Sequence, residues 1–252
     1  MSELGFYNKV KNWDFSMINY SKECLTSWDL TELIKQNVKP ESKVLDLGTG
    51  GGEKVIKYFP DCAEILGTDF SSEMIKTAND NLKKSGRKNI SFKIMDNLNM
   101  TTPDNYFDIV VARHTCIDAK QIYKTLKKDG KLLIRGVDKL DCWSLKLLFG
   151  KGQAFNDEKP ISVIDYENIM EAGFKKVELV PIHVREYYKT KEDLLALLFK
   201  TPILSDFSEI DINEDIEESL IDSAKIEKYI KENTTEKGIL LIRRYYGITA
   251  IK

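Results

Sequence analysis

The chain has 252 residues, with 38 Lys plus Arg against 40 Asp plus Glu, a formal net charge of −2 and a pI near 5.9. That length fits one large or two small domains, and 42% hydrophobic with 31% charged residues supplies both a core and an ordinary soluble surface. No apolar run approaches the roughly 18 residues of a membrane span, the opening MSELGFYNKVKNWDF offers no apolar h-region for a secretory signal, and near-neutral charge weighs against nucleic-acid binding by bulk phosphate attraction.

The opening segment, to about residue 37, ends in a helix. Residues 43–47 (KVLDL) form a short apolar strand, 53–59 a helix, and 63–68 (AEILGT) a second strand. A helix over 71–85 has Ser71 or Ser72 to cap it, Glu73 in its first turn and Gly86 after its end. Its apolar positions Met74, Ile75, Ala78 and Leu82 recur at helical spacing. Residues 89–95 (NISFKIM) alternate as a third strand. Residues 107–112 (FDIVVA) are nearly all apolar, as a strand buried on both faces would be. A helix over 117–126 and a strand over 130–136 (GKLLIRG) complete an alternation that implies right-handed βαβ units and a parallel sheet.

The last third changes character. A helix over 162–172 ends at Gly173, a strand follows at 176–187, and helices are expected at 191–199 (KEDLLALLF) and about 213–230. Residues 239–251 read as a long strand, and two long strands late in the chain fit an antiparallel pair closing the sheet edge. Nothing marks a domain boundary. The expected organisation is a single domain over 1–252, with a core at 40–137 and a helical cover from 1–37, 138–160 and 190–233.

Charge is uneven along the chain. Between Asp206 and Asp222 lie eight acidic residues and no Lys or Arg, so removing that −8 from the total of −2 leaves +6 elsewhere. Such a run is ordinarily a solvated face. The cysteines Cys24, Cys62, Cys116 and Cys142 form no CxxC pair, and the only histidines are His114 and His183. No metal site is expected, and the cysteines read as reduced cytoplasmic thiols.

The informative segment is Asp46-Leu47-Gly48-Thr49-Gly50-Gly51-Gly52-Glu53, where an apolar strand runs through a glycine-rich turn into a helix. Glycines let backbone approach a ligand closely, and open α/β sheets bind ligands at the carboxyl ends of their strands. A dinucleotide GxGxxG fails because Glu53 stands at the third glycine, and a P-loop GxxxxGK is absent. An acid ahead of the glycines suits a positively charged group. Asp69, ending the second strand, suits paired ribose hydroxyls. Asp96, with Asn97 after the third strand, can accept from an exocyclic amine. Asp69 has a competing reading as a helix N-terminal residue, and His114 reads equally as an acid–base group or as a polar pocket lining. Asp108 and His183 read as surface or structural groups. Tyr7, Trp13, Tyr20, Trp28, Trp143, Tyr187 and Tyr188 read mostly as packing residues.

VLDLGTGGGE, GTDFSSEMIKTA, MDNLNMTTPDNYFDIVVARH and LKKDGKLLIRG, in that order, resemble the class I S-adenosylmethionine-dependent methyltransferases, nearest the small-molecule group called methyltransferase type 11. The resemblance spans about residues 40–137. It implies a Rossmann-like α/β fold: a seven-stranded, mostly parallel sheet with an antiparallel C-terminal strand, helices on both faces and a helical cover. It implies S-adenosyl-L-methionine as cofactor, with Asp46 at the methionyl amine and Gly48, Thr49, Gly50 and Gly52 in the cofactor loop. Asp69 falls at the ribose position, Phe70 and Met74 beside it, and Asp96 with Asn97 at the adenine edge. Arg113, His114 and Thr115 fall near the methyl group and substrate, with Arg113 counted in the cofactor set and His114 as the catalytic candidate. The fourth strand lacks the Asn/Asp-Pro-Pro-Tyr/Phe signature, and no Pro-Cys follows it, so Cys116 is not expected to act as a nucleophile. The expected function is methyl transfer to a small molecule in the cytoplasm, without membrane or nucleic-acid partners. RNA or protein methylation, and a non-catalytic cofactor-binding module, are the alternatives.

Overall fold

The computed structural model describes Gly5, residues 15–205 and residues 224–252. Tyr7, Trp13, the acidic run and the start of the helix expected from about 213 lie outside the described residues. The strands are β1 (Tyr20–Cys24), β2 (Lys43–Leu47), β3 (Glu64–Asp69), β4 (Ile90–Ile94), β5 (Phe107–Arg113), β6 (Leu126–Val137), β7 (Lys175–Tyr188), β8 (Thr234–Thr235) and β9 (Gly238–Ile251). The helices are α1 (Leu30–Asn37), α2 (Glu53–Tyr58), α3 (Ser72–Ser85), α4 (Ala119–Thr125), α5 (Trp143–Phe149), α6 (Ile161–Glu171), α7 (Lys191–Lys200) and α8 (Ala224–Asn233).

One sheet runs in the order β1-β7-β9-β6-β5-β2-β3-β4, with β8 paired to β9. The five strands from β6 to β4 are parallel, β9 is antiparallel to β6 and β7, and β1 is antiparallel to β7. The seven expected strands are all present, and the C-terminal strand is antiparallel. Two more join them. β1 (YSKEC) is exposed along most of its length and has no apolar alternation, so its sequence carries no strand signal. It pairs through its backbone and blunts the sheet edge with Lys22 and Glu23. β8 has only two residues. The late antiparallel pair therefore does not close the sheet: β9 lies inside it, and β1 forms the edge.

Helices cover both faces. On one, Leu30 and Ile34 of α1, Val55 of α2 and Leu82 of α3 pack on Val44, Ile65, Ile109, Val111 and Leu133. On the other, Ile122 of α4 and Ile169 of α6 pack on Leu45, Leu47, Val110, Ala112, Leu132 and Ile134. Alternate residues of each strand thus serve opposite faces, as the period of two requires. Residues of the expected cover form a separate apolar cluster: Ile18, Leu145 of α5, Leu194 and Leu198 of α7, and Ile226 and Tyr229 of α8, over Tyr188, Ile239 and Leu241. α1 departs from that expectation because its apolar face packs on the core sheet, against β6 among others. Among the described residues, no helix is long and apolar enough to cross a membrane.

Candidate functional site

The strand order turns at β2: the chain leaves it to β3 on one side and reaches β5 on the other. Ligands bind at such a switch point, outside the carboxyl ends of the strands. The glycine turn lies there, held by three backbone contacts. Thr49 N donates to Thr68 O at 2.9 Å, Gly52 N to Thr49 O at 3.1 Å, and Gly50 N to Asp69 Oδ2 at 2.9 Å. Gly48 and Gly52 have φ of 71° and 75°, in the left-handed region. A Cβ at Gly48 would fall 2.7 Å from Thr115 Cβ, and one at Gly52 2.7 Å from Phe92 Cζ. Both positions therefore exclude a side chain.

Asp46 and Asp69 converge on this turn from β2 and β3, and both are buried. Asp69 Oδ1 accepts from Ser71 N at 3.0 Å, and its Oδ2 already holds Gly50 N. Burial raises its pKa, against the backbone donors of Ser71, Gly50 and Phe70. Ser71 is the N-cap of α3, its hydroxyl accepting from Met74 N at 3.3 Å. Asp69 is thus not the residue that caps the helix. The Thr49 hydroxyl is buried without a hydrogen-bond partner. It lies within electrostatic reach of the Asp46 carboxylate without closing a hydrogen bond by distance and angle.

The remaining predicted residues separate. Phe70 is 41% exposed beside the turn, whereas Met74 is in the core. Asp96 is exposed and accepts from Asn99 Nδ2 at 2.6 Å and Leu98 N at 2.9 Å, two bonds that lower its pKa. Asn97 is buried: its Nδ2 donates to Thr115 Oγ1 at 2.9 Å, and its Oδ1 accepts from Thr68 Oγ1 at 3.4 Å. It ties β3 to the loop after β5. Thr115 packs beneath Gly48.

Asp46 is the register partner of Val111, so Arg113, two residues on, stands diagonally across on the same face. Burial pushes the Asp46 carboxyl from 3.8 up to about 6; Arg113 opposes this and Asp69 adds to it. His114 has φ 52°, and its N donates to Arg135 O at 2.9 Å. Its ring opens to solvent on one side and stacks on Tyr245, with centroids 5.4 Å apart and planes within 3°. Protein crowded around the ring, and then Arg135, Arg113, Arg243 and Lys54, push its pKa well below 6.5. The imidazole is therefore neutral at pH 7, a hydrogen-bonding lining group and a weak base.

Sequence reasoning missed the far side of this cleft. Arg243 Nε donates to Asp141 Oδ1 at 3.0 Å, its NH2 to Asp141 Oδ2 at 3.0 Å and its NH1 to Glu186 Oε2 at 3.2 Å; Tyr188 OH donates to the same Oε2 at 2.6 Å. All four residues are buried. A signal existed: an Arg inside the apolar strand ILLIRRYYGITAI must find a carboxylate if it is buried. Two shallow grooves, one lined by Lys191, Leu195 and Phe199 and the other by Ile18, Tyr20 and Lys189, contain none of the strand-end residues.

The family described as "Methyltransferase domain" matches residues 38–159, the stretch that contains β2 to β6. By sequence, residues 38–159 are a methyltransferase domain. The protein named uncharacterized methyltransferase YcgJ, from Bacillus subtilis, is 28% identical to the chain over 114 residues, 42% of this chain and 45% of that one. The chain thus matches under half the length of this curated relative. The ubiquinone/menaquinone biosynthesis C-methyltransferase UbiE of Paraburkholderia phytofirmans is 26% identical over 168 residues, 60% of this chain and 69% of that one. The YcgJ crystal structure superposes with a TM-score of 0.58 at 19% identity, covering 88% of this chain and 97% of its own. Phosphoethanolamine N-methyltransferase 2 of Haemonchus contortus, in complex with S-adenosyl-L-methionine, gives 0.54 at 20% identity, covering 99% and 56%. These superpositions establish the methyltransferase fold. The residues at the turn fit S-adenosylmethionine: an acid for an amine, an acid for a diol, a backbone cradle and an unpartnered hydroxyl.

Proposed function

We propose that this chain transfers a methyl group to a small-molecule acceptor at the ends of β2, β3 and β5. The observation that carries the reading is the pair of buried carboxylates, Asp46 and Asp69, meeting at a glycine turn where no side chain fits. Asp46 would take the methionyl amine, Asp69 the ribose diol, Phe70 and Asp96 the adenine face and edge, and Arg113 the carboxylate end. Met74 and Asn97 act from behind, by packing and by holding the loop after β5. When bound, the cofactor supplies a sulfonium-activated methyl, so catalysis rests on proximity and orientation. His114 lines the acceptor side as a neutral group and can take a proton only from an acceptor already acidified. The cover helices α5, α7 and α8 set acceptor choice. Support for a small acceptor comes from the names of the relatives, one a quinone-biosynthesis and one a phosphoethanolamine methyltransferase. Free thiols at all four cysteines fit a cytoplasmic setting.

Calorimetry with S-adenosylmethionine and S-adenosylhomocysteine tests the reading. Binding of both is expected, and Asp69→Ala should weaken it about tenfold or more, the usual cost of removing charged hydrogen bonds. No binding, or an unchanged affinity in Asp69→Ala, would reject it. Labelled methyl transfer into the small-molecule fraction of a cell extract, set against its RNA and protein fractions, tests the acceptor class.

A further inference from the structure

Arg135, near the end of β6, has no part in the methyl-transfer reading above. It is the register partner of Arg113 on the parallel pair β5 and β6, so the two side chains leave the same face of the sheet side by side. Adjacent strands stand about 4.8 Å apart. Arg113 has Asp46 as its counter-charge, diagonally across β2. The Arg135 side chain makes no hydrogen bond or ion pair among the described residues. Its guanidinium lies over an aromatic ring instead: Cζ is 4.2 Å from the Tyr245 centroid. The same ring carries His114 at 5.4 Å and Arg243 at 5.1 Å. Arg243 is already closed by Asp141 and Glu186. The cleft beside His114 therefore holds one arginine matched to two carboxylates, one facing the cofactor end, and one with no counter-ion.

A guanidinium over an aromatic ring is held by its face and keeps its in-plane N–H donors for a ligand. Those donors match a carboxylate or phosphate in a two-pronged arrangement. Two arginines in register also repel each other, and an anion between them relieves the repulsion. We propose that Arg135, seated on Tyr245, binds an anionic group of the methyl acceptor, a carboxylate or a phosphate. The inference rests on the reading of the strand ends as a methyl-transfer site and adds the acceptor's charge. It places the acceptor's anion about one strand spacing from the cofactor's own carboxylate end, with the His114 and Tyr245 rings beside it.

The test uses the full chain and three probes, benzoate, phenyl phosphate and the neutral benzamide. Each is titrated by ligand-observed NMR with and without saturating S-adenosylhomocysteine. The native protein should bind one of the two anions about tenfold or more tightly than benzamide, as a charge-assisted pair of hydrogen bonds requires. The stronger of the two identifies the anion as carboxylate or phosphate. Arg135→Gln should remove the preference, Arg135→Lys should restore part of it, and the S-adenosylhomocysteine affinity should be the same in all three proteins. Equal binding of acid and amide by the native protein, or a preference that survives Arg135→Gln, overturns the proposal. So does a fall in S-adenosylhomocysteine affinity in Arg135→Gln, which would move Arg135 into the cofactor site. If the native protein binds no S-adenosylhomocysteine, the methyl-transfer reading fails by itself, and the titrations without it still decide the anion preference.

Discussion

Asp46 shows how a residue suited to its ligand can oppose the fold. Its carboxyl is buried with Asp69 nearby, Arg113 and then the Thr49 hydroxyl offset them in part, and its pKa stands at about 6 against 3.8. Between those values the folded chain keeps a proton that the unfolded chain releases, so stability falls as pH rises through that window and stays lower above it. The full difference amounts to about 3 kcal/mol, reduced in the variant because Arg113 loses its counter-charge. Asp46→Asn should therefore raise the denaturation midpoint at pH 7.5, with a gain that shrinks toward zero near pH 4. It should also weaken S-adenosylmethionine binding. Chemical denaturation at the two pH values checks the sign, and a less stable variant at pH 7.5 would mean that Arg113 outweighs the burial cost. Asp46, Asp69 and the glycines were legible in the sequence because they sit within one βαβ unit, where spacing fixes place. Asn97 was legible as a position but not as a role, since its partners Thr68 and Thr115 come from two other strand ends.

At the scale of elements, the local signals served well where a cap or a period marks the boundary. α3 begins at the Ser71 cap and ends at Gly86 with φ 71°. α7 carries a capping box: Thr190 Oγ1 accepts from Asp193 N at 3.1 Å, and Asp193 Oδ2 accepts from Thr190 N at 3.2 Å. Asp193 Oδ1 also accepts from Asn19 N at 2.8 Å, which fastens the helix to the chain before β1. In the fold its start is tied down, and Leu194, Leu195, Leu197 and Leu198 are buried. Thr190→Ala should cost about 1 kcal/mol of stability, read by urea unfolding, with Thr190→Ser close to the native protein. A cofactor affinity unchanged in Thr190→Ala would separate this structural role from one in binding. β1 was missed for the opposite reason: an exposed edge strand needs only a free backbone to pair with, and YSKEC offers no period to detect.

For the whole molecule, the buried ion network is the joint between core and cover. Asp141 follows β6, Glu186 lies on β7 and Arg243 on β9, so one guanidinium holds three segments, and Arg244 N adds a 2.7 Å bond to Asp141 Oδ1. Removing one partner strands buried charge. Arg243→Met should cost about 3–5 kcal/mol, while adding Asp141→Asn to it should recover part of the loss; both are read by chemical denaturation. Equal stability of Arg243→Met and the native protein would show that the network is solvated. By itself the sequence determined the order of strands and helices, and the glycine turn with its acids. Each of these is written locally, in period, cap or short spacing. Only the tertiary structure decided that β9 enters between β6 and β7, that Arg113 and Arg135 stand side by side, and that Tyr245 receives the His114 ring. Strand neighbours and register are chosen by hydrogen bonding and packing between segments far apart in the chain, and no local pattern specifies which segment the partner will be.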